Sequence, residues 1–412
     1  MITFNSYRLK NGLRLLHYFD KNTQMVALNL LYDVGSKDES PTATGLAHLF
    51  EHLMFTGTKN APIFDAPLQA AGGSSNAWTS VDMTNYYETL PAHNVETAFW
   101  IEADRLRNLN LSDDSIDTQK SVVIEEFKQR CLNVPYGDFS HICNGLAYKV
   151  HPYRWPTIGL NVDDIKNASH SEIKDFFARH YAVNNLILCV SGNVDFQHTV
   201  ALAEKWFGDF KPTPIPVRNL PQEPDQKEPR FLSVNRKVPN NVITMMYHMC
   251  GRGGAEYQAC DMLSDVLSNG MSSRFYRNVL VKTGLFTELD ASVSGTYDPG
   301  LFIVRAQLAE GATFAKAQDA INAELSDFLR DGVTAHEMEK CANKYESTQL
   351  FSNISYAKKA VKLCQYELLG NAAGINKEVD KYRHLTQEGL MNTAKKLLNP
   401  DNCSILYYGP DA

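Results

Sequence analysis

The sequence has no long hydrophobic run and no excess of basic charge. Its best apolar run, residues 25–32, is far shorter than the roughly 18 residues that a membrane-spanning helix requires. With 40 basic and 47 acidic residues the formal net charge is −7, so no overall positive field attracts nucleic acid. We therefore expect a protein with no membrane span and no nucleic-acid partner.

Paired cysteines are also missing, because the eight cysteines are scattered and none form a C-x-x-C motif. This spacing is not that of a disulfide scaffold, and scattered thiols are typical of a reducing compartment. The first residues lack the charged segment and apolar stretch of a signal peptide. We expect a cytoplasmic protein, or a periplasmic one if the sequence is a trimmed form of a longer chain.

Proline divides the chain into two halves of similar size. Six of the 17 prolines lie within residues 211–229, a segment that is too rich in proline to build a core. The prediction is an N-terminal domain at 1–210, a linker at 211–229 and a C-terminal domain at 230–412.

The two halves resemble each other in their order of elements. Apolar runs at 26–32 and 241–247 have the composition of strands, and leucines at helical spacing follow each of them. Later strand patterns at 185–190 and 403–408 each precede a glycine. We predict an α+β fold with two homologous domains, each a mainly antiparallel sheet packed against helices.

The strongest chemical signal is an H-x-x-E-H motif formed by His48, Glu51 and His52. On a helix the two histidines lie about 40° apart, so both imidazoles can bind one Zn²⁺, and Glu51 lies beside them. The same side chains could be only the polar face of an amphipathic helix. The apolar residues around them favour the metal site, because ionisable groups at such a boundary need a partner.

A catalytic zinc site has three protein ligands and one open position, so a third ligand is needed. Carboxylates on a predicted helix further along the chain are candidates. Val122, Val123 and Phe127 form its predicted buried face. Glu126 points inward beside them and Glu125 points outward, so Glu126 is the first choice and Glu125 the second.

These motifs resemble the pitrilysin/insulinase family of zinc peptidases. The family pattern continues after H-x-x-E-H with a V-V-x-x-E stretch, which is matched at residues 122–126. Its G-G-x-x-N-A-x-T segment is matched at residues 72–79. The resemblance covers essentially the whole chain. It is closest to two-domain, processing-peptidase-like bacterial members.

The resemblance implies one Zn²⁺ per chain, bound by His48, His52 and Glu126. It implies that Glu51 is the general base for the attacking water. The family often has a supporting glutamate seven residues before the third ligand, where this chain has Gln119. A neutral amide at this position can still form a hydrogen bond, but it changes the local charge.

The resemblance also implies a substrate strand at Ser75, Asn76, Ala77 and Trp78. The alternation after Gly72 and Gly73 independently predicts a hairpin. An exposed strand edge there could bind a peptide substrate as an added β-strand through main-chain hydrogen bonds.

One family feature is absent from the second half. Active members carry an arginine and a tyrosine in a segment that corresponds to residues 272–287. Leu280 and Thr287 stand at those two positions here. Because the family contains heterodimers in which one subunit has the zinc and the other has this pair, we predict that the chain is the zinc-carrying subunit. A homodimer is the alternative.

Two other functions are possible for such a sequence. Relatives of the family act as non-catalytic core subunits of a larger assembly, although such subunits usually lose the H-x-x-E-H motif. A structural zinc scaffold is the other alternative, and it would require a fourth protein ligand that closes the site.

Overall fold

The computed structural model describes residues 1–410 and places them in two compact units. The first unit consists of residues 1–130, 155–220 and 350–376, and the second of residues 131–154, 221–349 and those from 377 onward. Each unit has its own sheet and its own apolar core. The chain therefore contains two domains in the physical sense of two separate cores.

The compact units do not follow the contiguous boundaries 1–210 and 230–412. Helix Tyr356–Leu368 comes from the second half of the chain but packs on the sheet of the first unit, where Leu363 and Cys364 are fully buried. The boundaries predicted from composition assign each helix to the domain of its neighbours in the chain. In the structure this helix belongs instead to the unit whose sheet buries its apolar face.

The proline-rich segment 211–229 contains no helix or strand, as its composition predicts. Its first part belongs to the first unit. There the guanidinium of Arg218 forms ion pairs with Asp33 at 2.6 Å and with Asp38 at 2.7 Å. The segment is therefore attached to the first unit at this point.

The strands of the described chain form one sheet in each unit. In the first unit they are β1 (Asn5–Arg8), β2 (Arg14–Phe19), β3 (Met25–Tyr32), β4 (Ser74–Thr79), β5 (Thr84–Pro91) and β6 (Leu186–Gly192). In the second unit they are β7 (Arg230–Arg236), β8 (Val242–Met249), β9 (Phe286–Val293), β10 (Gly300–Leu308) and β11 (Cys403–Pro410).

The two sheets have the same topology. The strand order is β1-β2-β6-β3-β5-β4 in the first sheet and β7-β11-β8-β10-β9 in the second. Neighbouring strands are antiparallel except for the parallel pairs β2 with β6 and β7 with β11. The orders match strand for strand once β1 is set aside. The predicted α+β fold with two homologous, mainly antiparallel domains is confirmed.

Helices fill the connections between these strands. The first half of the chain contains α1 (Leu46–Leu53), α2 (Asp65–Ala70), α3 (Val95–Asn108), α4 (Asp113–Phe127), α5 (Phe139–Ala147), α6 (Val162–Asn167), α7 (His170–His180) and α8 (Phe196–Phe207). The second half contains α9 (Tyr257–Ser268), α10 (Val281–Thr283), α11 (Phe314–Asp331), α12 (Ala335–Ser352), α13 (Tyr356–Leu368), α14 (Glu378–Arg383) and α15 (Gln387–Leu397). Across the described residues, none of the helices combines the length and apolar character that crossing a membrane requires.

The apolar run 25–32 is strand β3, in the interior of the first sheet between β6 and β5. Every residue of β3 after Met25 is buried, and α13 and α3 both pack against the strand. Burial of successive residues explains why this segment is apolar apart from Asn29, whose buried side chain exchanges hydrogen bonds with that of Asn85.

A charged cluster is buried between α3 and β5. The fully buried Arg105 lies with Nη2 2.5 Å from Oε1 of Glu102 and 3.8 Å from Oε1 of Glu88, and its guanidinium lies 4.5 Å from the ring centres of Tyr86 and Phe64. Two carboxylates thus share one cation. Burial, followed by repulsion from Glu102, raises the pKa of Glu88 well above its ordinary value.

This cluster predicts a pH-dependent stability that Glu88→Gln removes. When folding raises the pKa of a carboxyl, the group keeps its proton in the folded state and loses it in the unfolded state at any pH between the two pKa values. Its stabilising effect is complete below the unfolded pKa and falls by about 1.4 kcal/mol per pH unit above it. We expect the urea midpoint of the native chain to decrease from pH 5 to pH 8, and that of Glu88→Gln to decrease less. The exposed Glu125→Gln is the control, and equal slopes for all three proteins would contradict the assignment.

Candidate metal centre

The helix that carries the H-x-x-E-H motif begins at a position that only glycine fits. Gly45 has a φ of 90°, and a Cβ there would lie 2.9 Å from Cδ1 of Ile165 and 3.0 Å from the carbonyl oxygen of Ile158. The buried carboxylate of Glu39 accepts hydrogen bonds from the backbone N–H groups of Gly45 and Ala47, each at 2.8 Å. These contacts fix the first turn of α1.

The apolar side of α1 anchors the helix on the first unit. Four of its side chains are buried, as their spacing predicts: Leu46, Leu49, Phe50 and Leu53. The ring of Phe50 stacks on those of Phe176 and Phe177 in α7, with centroids 5.6 and 5.7 Å apart. This packing leaves the three polar residues of the motif on the other side of the helix.

Helix α4 brings a carboxylate to the two histidines. Oε2 of Glu126 lies 3.1 Å from Nε2 of His52 and 3.7 Å from Nε2 of His48. The two imidazole rings are perpendicular, with their centroids 4.9 Å apart. One nitrogen or oxygen atom from each of the three residues lies within 4.8 Å of the others. Three potential metal ligands therefore converge on one point.

The donor set fits a zinc ion. In a tetrahedral site with bonds of 2.0–2.1 Å the donor atoms lie about 3.3 Å apart, close to the two nitrogen–oxygen distances here. Within residues 1–410 the cluster has three histidine, cysteine or carboxylate ligands and no fourth. Such a set leaves one position of a tetrahedral ion open to water or substrate.

The protonation of His48 also suits metal binding. Burial lowers the pKa of His48 below the ordinary value of histidine, against the opposing effect of Glu126. A neutral imidazole is the form that binds a metal. Nδ1 of His48 is buried and has no hydrogen-bond partner in the described part of the chain, so Nε2 is the ring atom that faces the cluster.

The structure brings Glu126, and not Glu125, to the histidines. The side chain of Glu126 is 18% exposed, whereas that of Glu125 is 61% exposed and pairs with Lys128 at 2.5 Å. The prediction that Val122 belongs to the buried face of α4 is wrong, because Val122 is 43% exposed. Val123 and Phe127 are buried as predicted, and they are enough to set the orientation of the helix.

Glu51 is half-buried and is not one of the three converging ligands. It therefore remains available for proton transfer beside the cluster. Gln119 is half-buried too, and its side chain forms no hydrogen bond with other residues in the range 1–410. The outer contact of Glu126 comes instead from Arg130, whose Nη2 lies 2.9 Å from Oε1 of Glu126. Sequence reasoning missed Arg130, although its spacing of four residues from Glu126 is a recognisable signal.

The segment predicted as the substrate strand is an edge strand. Ser75 to Trp78 lie in β4, which pairs with β5 on one side and ends the first sheet on the other. The backbone N–H of Ala77 donates to Oδ1 of its neighbour Asn76 at 2.8 Å, so this N–H is not used in pairing with β5. Helix α1 packs against both β4 and α4. The open edge and the ligand cluster are therefore connected through one helix.

The second unit has no equivalent cluster among its described residues. Helix α9, which follows β8 as α1 follows β3, carries Met262, Asp265 and Val266 in place of such a motif, and Met262 and Val266 are buried apolar residues. Leu280 ends the π-helical turn Phe275–Leu280, and Thr287 lies in β9. The two positions at which active family members carry arginine and tyrosine therefore lie in regular secondary structure here.

The known proteins that this chain resembles share a common description. The family model described as Insulinase (Peptidase family M16) matches residues 16–133, and the one described as Peptidase M16 inactive domain matches residues 167–345. Zinc protease PqqE of Helicobacter pylori is 28% identical, over 98% of this chain and 92% of that protein. A zinc protease of Rickettsia bellii is 27% identical, over 91% of this chain and 89% of that protein.

A solved structure matches the whole chain. The crystal structure of a protease from Helicobacter pylori superimposes with a TM-score of 0.94 at 27% identity, and all of both chains is covered. The duplicated α+β fold of this chain therefore matches that of a solved protease over its whole length. The chain belongs to peptidase family M16, the pitrilysin/insulinase family, so the resemblance in the sequence is confirmed.

Proposed function

We propose that the chain is a zinc metallopeptidase that hydrolyses peptides or unfolded segments. The observation that carries this proposal is the convergence of His48, His52 and Glu126 beside the unliganded Glu51. The names of the relatives, which are zinc proteases, support the same class. The cluster lies outside residues 167–345, the part matched by the family model of an inactive domain.

Each residue of the cluster has a role in this chemistry. His48, His52 and Glu126 would hold one Zn²⁺ in the first unit. When bound, the ion would act as a Lewis acid toward the peptide carbonyl and the attacking water. Glu51 would accept the proton of the water and pass it to the leaving amine, a transfer that suits a half-buried carboxylate next to two ligands.

We place the peptide on the free edge of β4, along Ser75, Asn76, Ala77 and Trp78. The N–H of Ala77 would exchange its hydrogen bond to Asn76 for one to a carbonyl of the substrate. Main-chain pairing of this kind recognises an extended conformation more than a particular sequence. It is therefore compatible with a range of unfolded substrates.

A partner subunit is the second part of the proposal. Leu280 has no side-chain donor, and the hydroxyl of Thr287 donates to the carbonyl oxygen of Gln307, so these two positions do not supply an arginine and tyrosine pair. We propose a heterodimer in which a homologous subunit provides the arginine and the tyrosine. A homodimer of this chain is the alternative.

The test of partner dependence is a cleavage assay with the zinc-loaded chain alone and mixed with a homologous subunit that carries the arginine and tyrosine. We expect little turnover by the chain alone and an increase of about 100-fold in the mixture, because groups that bind the transition state typically supply an effect of this size. Addition of a chelator should abolish the activity. Strong chelator-sensitive cleavage by the chain alone would contradict partner dependence and favour the homodimer.

The other candidate functions have less support in the structure. A non-catalytic assembly subunit does not need the complete H-x-x-E-H motif, and here its side chains converge with Glu126. A structural zinc site is closed by four protein ligands, whereas the described residues offer three. Both observations favour a catalytic site.

A further inference from the structure

Arg130 lies at the ligand cluster but has no role in the proposed chemistry. It belongs to the π-helical turn Lys128–Leu132 that continues α4, one turn beyond Glu126. Its Nη2 contacts Oε1 of Glu126 at 2.9 Å, and the other carboxylate oxygen, Oε2, faces His48 and His52. The guanidinium is thus separated from the histidines by a single carboxylate.

Most of this guanidinium is available to a ligand. The side chain of Arg130 is 70% exposed, although Glu126 itself is only 18% exposed. A guanidinium has five N–H donors, and the contact with Glu126 is its only ion pair among residues 1–410. Exposed ion pairs contribute little to stability, so the fold does not require this arginine.

The charges around the cluster make Arg130 attractive to anions. Glu51 and Glu126 are the two carboxylates of the site, and together they balance a divalent ion. Position 119, where the family often has a glutamate, carries a neutral glutamine and adds no further negative charge. Glu126 would then be shared between the ion and Arg130, so it would compensate the positive charge of Arg130 only in part.

We propose that Arg130 is a substrate-binding residue that receives a carboxylate of the peptide and so gives the site a preference for acidic peptides. This inference rests on the proposed peptidase function. Arginine binds a carboxylate through two parallel hydrogen bonds, which gives directional recognition in addition to charge attraction. The carboxylate could belong to an acidic side chain near the cleaved bond or to the C-terminus of the peptide.

Lys128 provides a matched control in the same π-helical turn. It carries the same charge, but it is 41% exposed and is paired with Glu125, which lies outside the ligand cluster. Lys128→Gln therefore changes the net charge of the protein by the same amount as Arg130→Gln. Only Arg130→Gln removes the cation next to Glu126.

Peptide binding without turnover is the direct measurement. Zinc-loaded Glu51→Gln protein serves as the background, and fluorescence anisotropy reports the binding of labelled peptides. The first set of peptides compares Glu with Gln at each position in turn of a neutral sequence whose C-terminus is amidated. The second set compares a free with an amidated C-terminus on the same neutral sequence. In Glu51→Gln protein that retains Arg130, we expect at least one peptide with a carboxylate to bind roughly tenfold more tightly than its amide counterpart. Which set shows the effect identifies the source of the carboxylate.

The role of Arg130 is tested by comparing carboxylate and amide peptides in the Arg130→Gln and Lys128→Gln variants of the same protein. Arg130→Gln should remove the preference for the carboxylate peptide, whereas Lys128→Gln should keep it. The zinc content of Arg130→Gln should equal that of the background. A preference that survives Arg130→Gln would overturn the proposal, and so would equal weakening of acid and amide peptides, or loss of zinc from this variant.

Failure of this inference is distinguishable from failure of the proposed function. Cleavage of peptides by the protein with Glu51 intact, together with no preference for carboxylates, would reject the role of Arg130 and leave the peptidase function in place. An Arg130-dependent preference in binding, without cleavage alone or with a partner subunit, would reject the peptidase function and leave the role of Arg130. Absence of binding to any peptide would overturn both.

Discussion

Replacing Glu51 by glutamine is expected to reduce peptide hydrolysis by about 10²–10⁴-fold, the usual contribution of a general base. Zinc binding should be unchanged, because Glu51 lies outside the three converging ligand atoms. Glutamine keeps the size and polarity of the side chain but cannot accept the proton from the attacking water. Initial rates with a peptide substrate and the zinc content of the purified protein provide the two measurements.

The control for this substitution is Glu125→Gln, a second glutamate that lies in an exposed ion pair with Lys128. It should retain the native rate and zinc content. If Glu51→Gln hydrolyses peptides at the native rate, the assignment of Glu51 as the general base is wrong. If it loses zinc, Glu51 contributes to the metal site itself, and its role has to be revised.

Replacing Glu126 by alanine is expected to remove both zinc and activity. The ligand cluster would be left with His48 and His52 alone, and two donors do not make a tight zinc site. Substitutions outside the ligand shell already weaken metal binding by roughly 10–100-fold, and loss of a ligand should cost more than that. Zinc stoichiometry after dialysis, together with the rate of peptide cleavage, measures the effect.

Glu125→Ala, the adjacent substitution on the same helix, is the matched comparison for Glu126→Ala. It should keep its zinc, because Glu125 is 61% exposed and is not part of the converging cluster. Normal zinc content in Glu126→Ala would move the third ligand elsewhere, with Glu125 as the next candidate. Both variants should fold, since neither residue is buried in the apolar core.

The fold was predictable wherever a local pattern reflects burial. The apolar run of β3 indicated a strand, and the repeated order of strands and helices indicated the duplication. The exchange of segments between the two units was not predictable. Nothing in the sequence of α13 shows that its buried residues fit the first sheet, because that choice depends on the shape of the surfaces that meet.

In the candidate site, too, the spacing of residues along one helix was predictable, whereas the contacts that each side chain makes were predictable only in part. The spacing of His48 and His52 is a property of one helix, so the sequence indicated it directly. The orientation of Glu126 was predicted from a buried face that included Val122, which is in fact exposed. The contact between Arg130 and Glu126 was not predicted. The spacing of four residues permits such an ion pair, but spacing alone does not show which of the charged residues so placed make contact.

The position of α13 has a consequence for the synthesis and dissection of this protein. The helix that covers β3 and β6 is encoded more than 150 residues after the end of β6. In the domain with the ligand cluster, the surface of β3 and β6 that α13 covers therefore stays open during translation until most of the chain has left the ribosome. A fragment that ends at the proline-rich segment would expose the apolar surface that α13 normally covers, and such surfaces promote aggregation.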